Sequence, residues 1–174
     1  MTRPASLIAV LAAACSVACS PALDWRDFVP EGTDIRVSFP CRPDRHARAV
    51  TVAGAKAQME MLSCSAGDAT FALAFVDVAD PARVGATLAD LRATAASNLN
   101  DVSPQTLVLQ IQGMTPNEQA ARITIAGKLP DGAQVQEHAA FFARGLRVYQ
   151  AAVIGAKPAP QVVDAFIAGL KFAG

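Results

Sequence analysis

Thr70-Phe71-Ala72-Leu73-Ala74-Phe75-Val76-Asp77-Val78, followed at once by Ala79-Asp80-Pro81, decides the fold of this chain. Alternation with period two puts Phe71, Leu73 and Phe75 on one face of a strand and Ala72 and Ala74 on the other. A face of alanines lets a helix or a second layer approach closely. Asp80-Pro81 then supplies an N-cap acceptor followed by proline in the first helical turn. Val84, Leu88, Leu91, Ala95 and Leu99 recur at spacings of three or four, which predicts a helix with one apolar stripe ending near residues 98–100.

Working outward, Ile35-Arg36-Val37-Ser38-Phe39 alternates strictly and stops at Pro40, and Leu23 to Phe28 forms a short edge segment carrying the lone Trp25. Residues 49–52 and 58–62 make a hairpin around Ala53-Gly54-Ala55-Lys56. Beyond the helix, four more strands are expected, at 107–111, around Ile123 and Ile125, at 134–142 and at 146–154. Pro130-Asp131-Gly132 and Arg144-Gly145 are turns of hairpin length. A last helix begins near Pro158-Ala159-Pro160 and carries Val162, Val163, Phe166, Ile167 and Leu170. Consecutive strands joined by short turns mean an antiparallel meander. The expected architecture is therefore α+β, a two-layer body in which an antiparallel β-sheet of about seven or eight strands packs with two α-helices. Residues 33–174 form one domain, preceded by a tether and lead-in segment at 19–32.

The chain has 174 residues, with 15 basic and 15 acidic side chains and 52% apolar content. Charge balance excludes a polybasic nucleic-acid binder, and the apolar content excludes a disordered chain. Residues 1–18 read as a secretory signal peptide: Arg3 supplies a positive start, Ala5 to Ala14 is an apolar run broken only by Ser6, and small residues surround Cys15 and Cys19. That run is too short to span a bilayer, which takes about 20 apolar residues. Ala12-Ala13-Ala14-Cys15 and Ser16-Val17-Ala18-Cys19 both resemble the lipobox of bacterial lipoproteins, in which the cysteine is lipidated and becomes the mature N-terminus. Cys19 is the favoured attachment site, with Cys15 the alternative; ordinary cleavage, for example after Ala22, would instead give a soluble periplasmic protein. Removing residues 1–18 takes away Arg3 alone, leaving 14 basic against 15 acidic groups and no electrostatic steering toward a charged partner.

Cys41 and Cys64 are then the two thiols of the folded region, and in an oxidising compartment they are expected to form one disulfide. Each stands at the end of an expected strand. The competing use of the same region is a soft Cu or Zn site built from Cys41, Cys64, His46, Met59 and Met61, although no ligand pair there has a short fixed spacing.

Ile35 to Pro40, the strand Thr70 to Val78 with its Asp80-Pro81 helix, the stretch Gly145-Leu146-Arg147-Val148-Tyr149-Gln150-Ala151 and the ending Gly169-Leu170-Lys171-Phe172 together resemble a known pattern. It is that of small exported bacterial domains with a Mog1/PsbP-like α/β/α arrangement, and most of all uncharacterised bacterial exported lipoproteins. The resemblance covers residues 33–172 and rests on apolar positions. It implies an accessory or binding role and carries over no functional residue.

G-x-S-x-G, G-x-G-x-x-G, G-x-x-x-x-G-K-[ST], H-E-x-x-H and C-x-x-C are all absent from the sequence. His46 falls in Arg42-Pro43-Asp44-Arg45-His46-Ala47-Arg48, which reads as a solvated charged loop. His138 lies on a strand and points away from the face of Val135, Glu137 and Ala139, as a surface histidine does. Asp77 lies near Asp80, but Asp80 is accounted for as a cap. The sequence thus leads to a non-catalytic cell-envelope protein, periplasmic and lipid-anchored. It needs no cofactor, binds an envelope protein or component, touches the membrane through its anchor and does not bind nucleic acid. The alternative is a periplasmic module for a small ligand or soft metal, using the region of Cys41, Cys64, Met59 and Met61 or a cleft between helix and sheet.

Overall fold

The computed structural model describes residues 23–101, 103–129 and 131–173. The chain is an α+β fold with a large antiparallel sheet. In order it forms β1 (Arg26–Phe28), β2 (Ile35–Phe39), β3 (Asp44–Val52), β4 (Ala55–Ala66) and β5 (Ala69–Asp77). A 3-10 turn (Pro81–Arg83) leads into α1 (Val84–Asn98). Then come β6 (Gln105–Leu107), β7 (Ala121–Lys128), β8 (Gln134–Arg144), β9 (Arg147–Gly155), α2 (Pro160–Ala168) and β10 (Lys171–Phe172). Seven strands make the main sheet in the order β3-β4-β5-β9-β8-β7-β6, and β1-β2-β10 form a small one.

The fold-deciding strand behaves as its alternation dictates. Phe71, Leu73 and Phe75 enter a core with β2, α2 and the aromatic residues Phe142, Tyr149 and Phe172. Ala74 and Val76 enter a separate core with Val84, Leu88, Leu91 and Ala95 of α1. The helices therefore lie on opposite faces of the main sheet, giving three layers and not the two expected. Periodicity shows that each helix has an apolar stripe but not which face of the sheet it covers.

At α1 the expected start is split. The Asp80 carboxylate accepts from the Ala82 amide at 2.9 Å, but the first turn is 3-10 and the α-helix proper begins at Val84. The helix stops at Asn98, and Asn100 takes a left-handed φ of 56°, a conformation asparagine tolerates. The C-terminus of α1 presses on β7 so closely that a Cβ at Gly127 would lie 2.1 Å from the Leu99 carbonyl oxygen.

Two segments differ from the sequence reading. Residues 44–48 are strand, not loop: β3 is an edge strand exposed on both sides along most of its length, so its residues show no burial alternation. Pairing with β4, from Asp44 opposite Ser63 to Val52 opposite Ala55, still satisfies its backbone. The expected strand at 107–111 ends at Leu107; Leu109 and Ile111 are buried from a loop that crosses toward β10, where the Phe172 amide donates to the Gln112 carbonyl at 3.0 Å. The lead-in carries the expected edge strand: the Asp24 amide donates to the Pro40 carbonyl at 2.8 Å, Trp25 meets Phe71 edge-on, and β1 pairs with β2 at the edge of the small sheet.

The Cys41–Cys64 disulfide, with Cα atoms 6.0 Å apart, ties the end of β2 to β4 and so joins the small sheet to the main one. Chain-entropy reasoning for a 23-residue separation gives it about 3 kcal/mol. The Cys41→Ala/Cys64→Ala variant is expected to lose about that much in urea unfolding, with dithiothreitol reproducing the loss in the wild type. Gly127→Ala is expected to cost about 1–3 kcal/mol, because backbone and not a flexible side chain must move; thermal melting against a surface alanine control measures it.

Candidate functional site

The alanine face that admits α1 also leaves room beneath it. A cleft of about 220 Å³ opens between α1 and the β4–β5–β9 part of the main sheet, with 13 residues lining it. Ala72, Ala74 and Ala152 form its floor, Leu91 and Ala95 its roof, and Met59, Met61 and Ile154 its apolar walls. The hairpin of β3 and β4 closes one side. Its two-residue turn, Ala53-Gly54, has positive φ at both positions, the geometry of the type I′ hairpin turn. Asp90 of α1 accepts from the Ala53 amide at 2.9 Å, and Arg83 donates to the Ala53 carbonyl at 2.7 Å. The hairpin tip is thereby clamped to the start of the helix.

Glu137 of β8 is the chemical feature of this cleft. It is 6% exposed, and Nε2 of Gln150, itself a lining residue, donates to its carboxylate at 3.4 Å. Desolvation pushes the carboxyl above its ordinary value, and the Gln150 bond opposes that only in part. Thr94 and Asn98 of α1 and Arg48 of β3, all exposed, form the polar rim. An apolar cleft with a few convergent polar groups is how small-molecule sites are built, and this one lies below the common range of about 300–1,000 Å³, so it suits a small ligand.

The sequence offered a cleft between helix and sheet, and the region of Met59 and Met61, as the alternative ligand site, but Glu137 was not singled out. Its signal was present in the alternation of β8, which puts Glu137 on the same face as the buried Val135 and Ala139; an acid on an apolar face calls for an explanation. His138 points to the other face as expected, but it is half-buried and not at the surface. Its Nδ1 lies 3.1 Å from the Thr124 hydroxyl, and burial, then Arg122, lowers its pKa. His46 is exposed on β3 opposite Met61 and does not line the cleft. Asp77 is gripped by Arg147 through bonds of 2.6 and 2.7 Å, which hold its pKa down.

Of the expected soft-metal set, Cys41 and Cys64 are joined to each other, so neither offers a thiolate. Met59 and Met61 serve as cleft wall. Among the described residues no group of three or more His, Cys, Asp or Glu could hold a metal ion. The lipid-attachment candidates Cys19 and Cys15 lie outside the described residues. No helix among the described residues is long and apolar enough to cross a membrane.

A buried acid whose pKa is raised takes up its proton more readily folded than unfolded, so it withdraws stability as pH climbs. The loss begins near the ordinary value of 4.5 and is complete above the folded value. Glu137→Gln should remove this part of the pH dependence and leave the variant relatively more stable at pH 7 than at pH 4, as thermal melts of both proteins across that range would measure.

No family model matches this chain, and no curated protein does. Among solved structures, it is similar to a protein of Bacteroides thetaiotaomicron whose crystal structure was determined at 1.50 Å. The TM-score is 0.45 and the identity 10%, over 85% of this chain and 48% of the other. The chain thus spans about half the length of that protein.

Proposed function

We propose that this chain is an exported, non-catalytic binding protein, anchored by lipid on Cys19, whose α1–sheet cleft holds a small ligand as its part in an envelope function. The cleft carries the binding role: it combines apolar walls, one deeply buried carboxylate and an exposed polar rim in a single cavity. The absence of a second acid or base speaks against catalysis. Among the described lining residues Glu137 is the one carboxylate, and its side-chain bond is to a neutral amide. General acid–base chemistry on a bound substrate needs groups of matched pKa placed around it.

Export is supported by the apolar leader at residues 5–14 and by a cysteine pair at bonding distance, which the cytosol would keep reduced. Resemblance to exported lipoproteins with a Mog1/PsbP-like domain agrees with that address. The lipobox-like Ser16-Val17-Ala18-Cys19 stands only a few residues before Asp24, the point at which the chain is pinned to the domain. A lipid there would hold the domain close against the membrane, anchored and not spanning.

Expression in a Gram-negative host tests the address. The mature N-terminus should be Cys19 carrying the mass of its acyl groups, and the protein should fractionate with membranes. Cys19→Ala should move it to the soluble fraction or leave the precursor uncleaved, while Cys15→Ala changes neither. An unmodified N-terminus such as Leu23 would overturn the anchor.

A further inference from the structure

We infer that the cleft ligand is an organic ammonium ion with a short apolar tail, its charged end seated against Glu137 and its tail lying on the alanine floor between Met59, Met61 and Leu91. This rests on the reading of the cleft as a ligand site and goes further by naming the ligand's chemistry.

The first ground is a missing partner. A carboxylate held at 6% exposure is normally neutralised by a cation of its own protein or by a proton. The elements packed around Glu137 bring no such cation. Its neighbours on the same face across β7 and β9 are Ile125 and Ile154. Gln150 offers an amide, and α1 offers Thr94 and Asn98 at the rim. The charged groups of α1 point elsewhere: Asp90 is bound to the hairpin tip, and Arg92 donates to the Gln119 carbonyl at 3.3 Å. His138 and Arg122 belong to the opposite face, where Arg122 pairs with Asp164 at 2.8 Å. Arg48 is the one cationic lining residue among those described. It stands exposed on β3, four strands from β8 in the sheet order, and no attraction to it offsets the desolvation of Glu137. Each other positive group near the cleft is thus either committed or remote.

The second ground is shape. The volume of about 220 Å³ is that of about seven waters, enough for a chain of a few carbons and too little for a sugar ring with its hydration. The floor is alanine and the walls are thioether and branched aliphatic, which suit methylenes and give hydroxyl-rich ligands no partners. Gln150 and the rim residues Thr94 and Asn98 can accept the ammonium hydrogens that the carboxylate does not. A ligand cation in this place would also counter the upward push of desolvation on Glu137, because an opposite charge at contact favours the ionised form.

Calorimetric titration with n-hexylammonium, 1-hexanol and hexanoate, on the folded disulfide-bonded protein, tests the inference. Hexylammonium should bind best and hexanoate least. Its binding should tighten from pH 4 to pH 7, and Glu137→Gln should weaken it by about thirtyfold or more while leaving hexanol unchanged. Ala72→Leu, which fills the floor without touching the carboxylate, should abolish binding of both, and it keeps the test decisive should Glu137→Gln fold poorly. Equal or better binding of hexanol or hexanoate, or indifference to Glu137→Gln, overturns the ammonium ligand while the cleft stands as a site. Failure of all three probes to bind overturns the cleft itself as a ligand site.

Discussion

The main sheet must be covered on both faces, and the rest of the molecule answers to that constraint. Its central strands β5, β9 and β8 are buried almost throughout, so both sets of alternating side chains need an apolar layer against them. The two sets are unequal. One face carries large side chains, Phe71, Leu73, Phe75, Phe142 and Tyr149, and meets α2 and the small sheet. The other mixes Val76, Phe141 and Val148 with the alanines Ala74, Ala139, Ala143 and Ala152, and meets the single helix α1. Aromatic residues fill the first side so fully that Phe142 and Tyr149 stack at 5.2 Å and Phe172 closes on Tyr149 edge-on at 5.4 Å. Alanines let α1 come close but cannot fill the width of the sheet beyond it, and the cleft is the remainder.

Holding three layers together falls to a few links at the ends of strands. The disulfide joins β2 to β4 on one side. At the far end, Arg147 grips Asp77 across the β5–β9 pair, lies over the Phe75 ring and donates to the Gly32 carbonyl in the turn before β2. Arg144 does the same for the C-terminal segment: it pairs with Asp34 at 2.8 Å, lies over Phe172 and donates to the Gly113 and Ala173 carbonyls. Ion pairs this near solvent are worth little singly. Planar guanidinium groups serve here because one side chain can satisfy several loop carbonyls and cover an aromatic edge together.

Local pattern carried most of the fold and little of the site. Alternation in 70–78, the Asp80-Pro81 start and the stripe from Val84 to Leu99 are short-range facts, and they became a strand, a capped 3-10 turn and the helix that follows it. The pairing of Cys41 with Cys64 was legible because few cysteines leave few choices. The edge strand β3 was hidden because a strand exposed on both faces has no hydrophobic period, and Leu109 and Ile111 misled because alternate burial can occur in a loop that forms no strand ladder and meets β10 only at Gln112. Most of the lining of the cleft was hidden for a different reason. Its lining comes from β3, β4, β5, β8, β9 and α1, over a hundred positions of sequence, and its volume depends on how far a helix stands above alanines. Only Glu137, an acid in an apolar row, showed locally that something lay there.

That acid is also where stability and use pull apart. Leucine at 137 would extend the row of Val135 and Ala139 and avoid the desolvation that the carboxylate suffers, so packing alone gives no reason for glutamate. A polar residue could be kept for register, yet β8 is already fixed by its full pairing with β7 and β9 and by two buried faces, where a one-residue slip would turn every side chain over. What leucine could not provide is a charge facing the open volume. The same alanines that lower the packing on this side place that volume directly before it, and the destabilising residue and the unfilled space together are what the proposed binding site rests on.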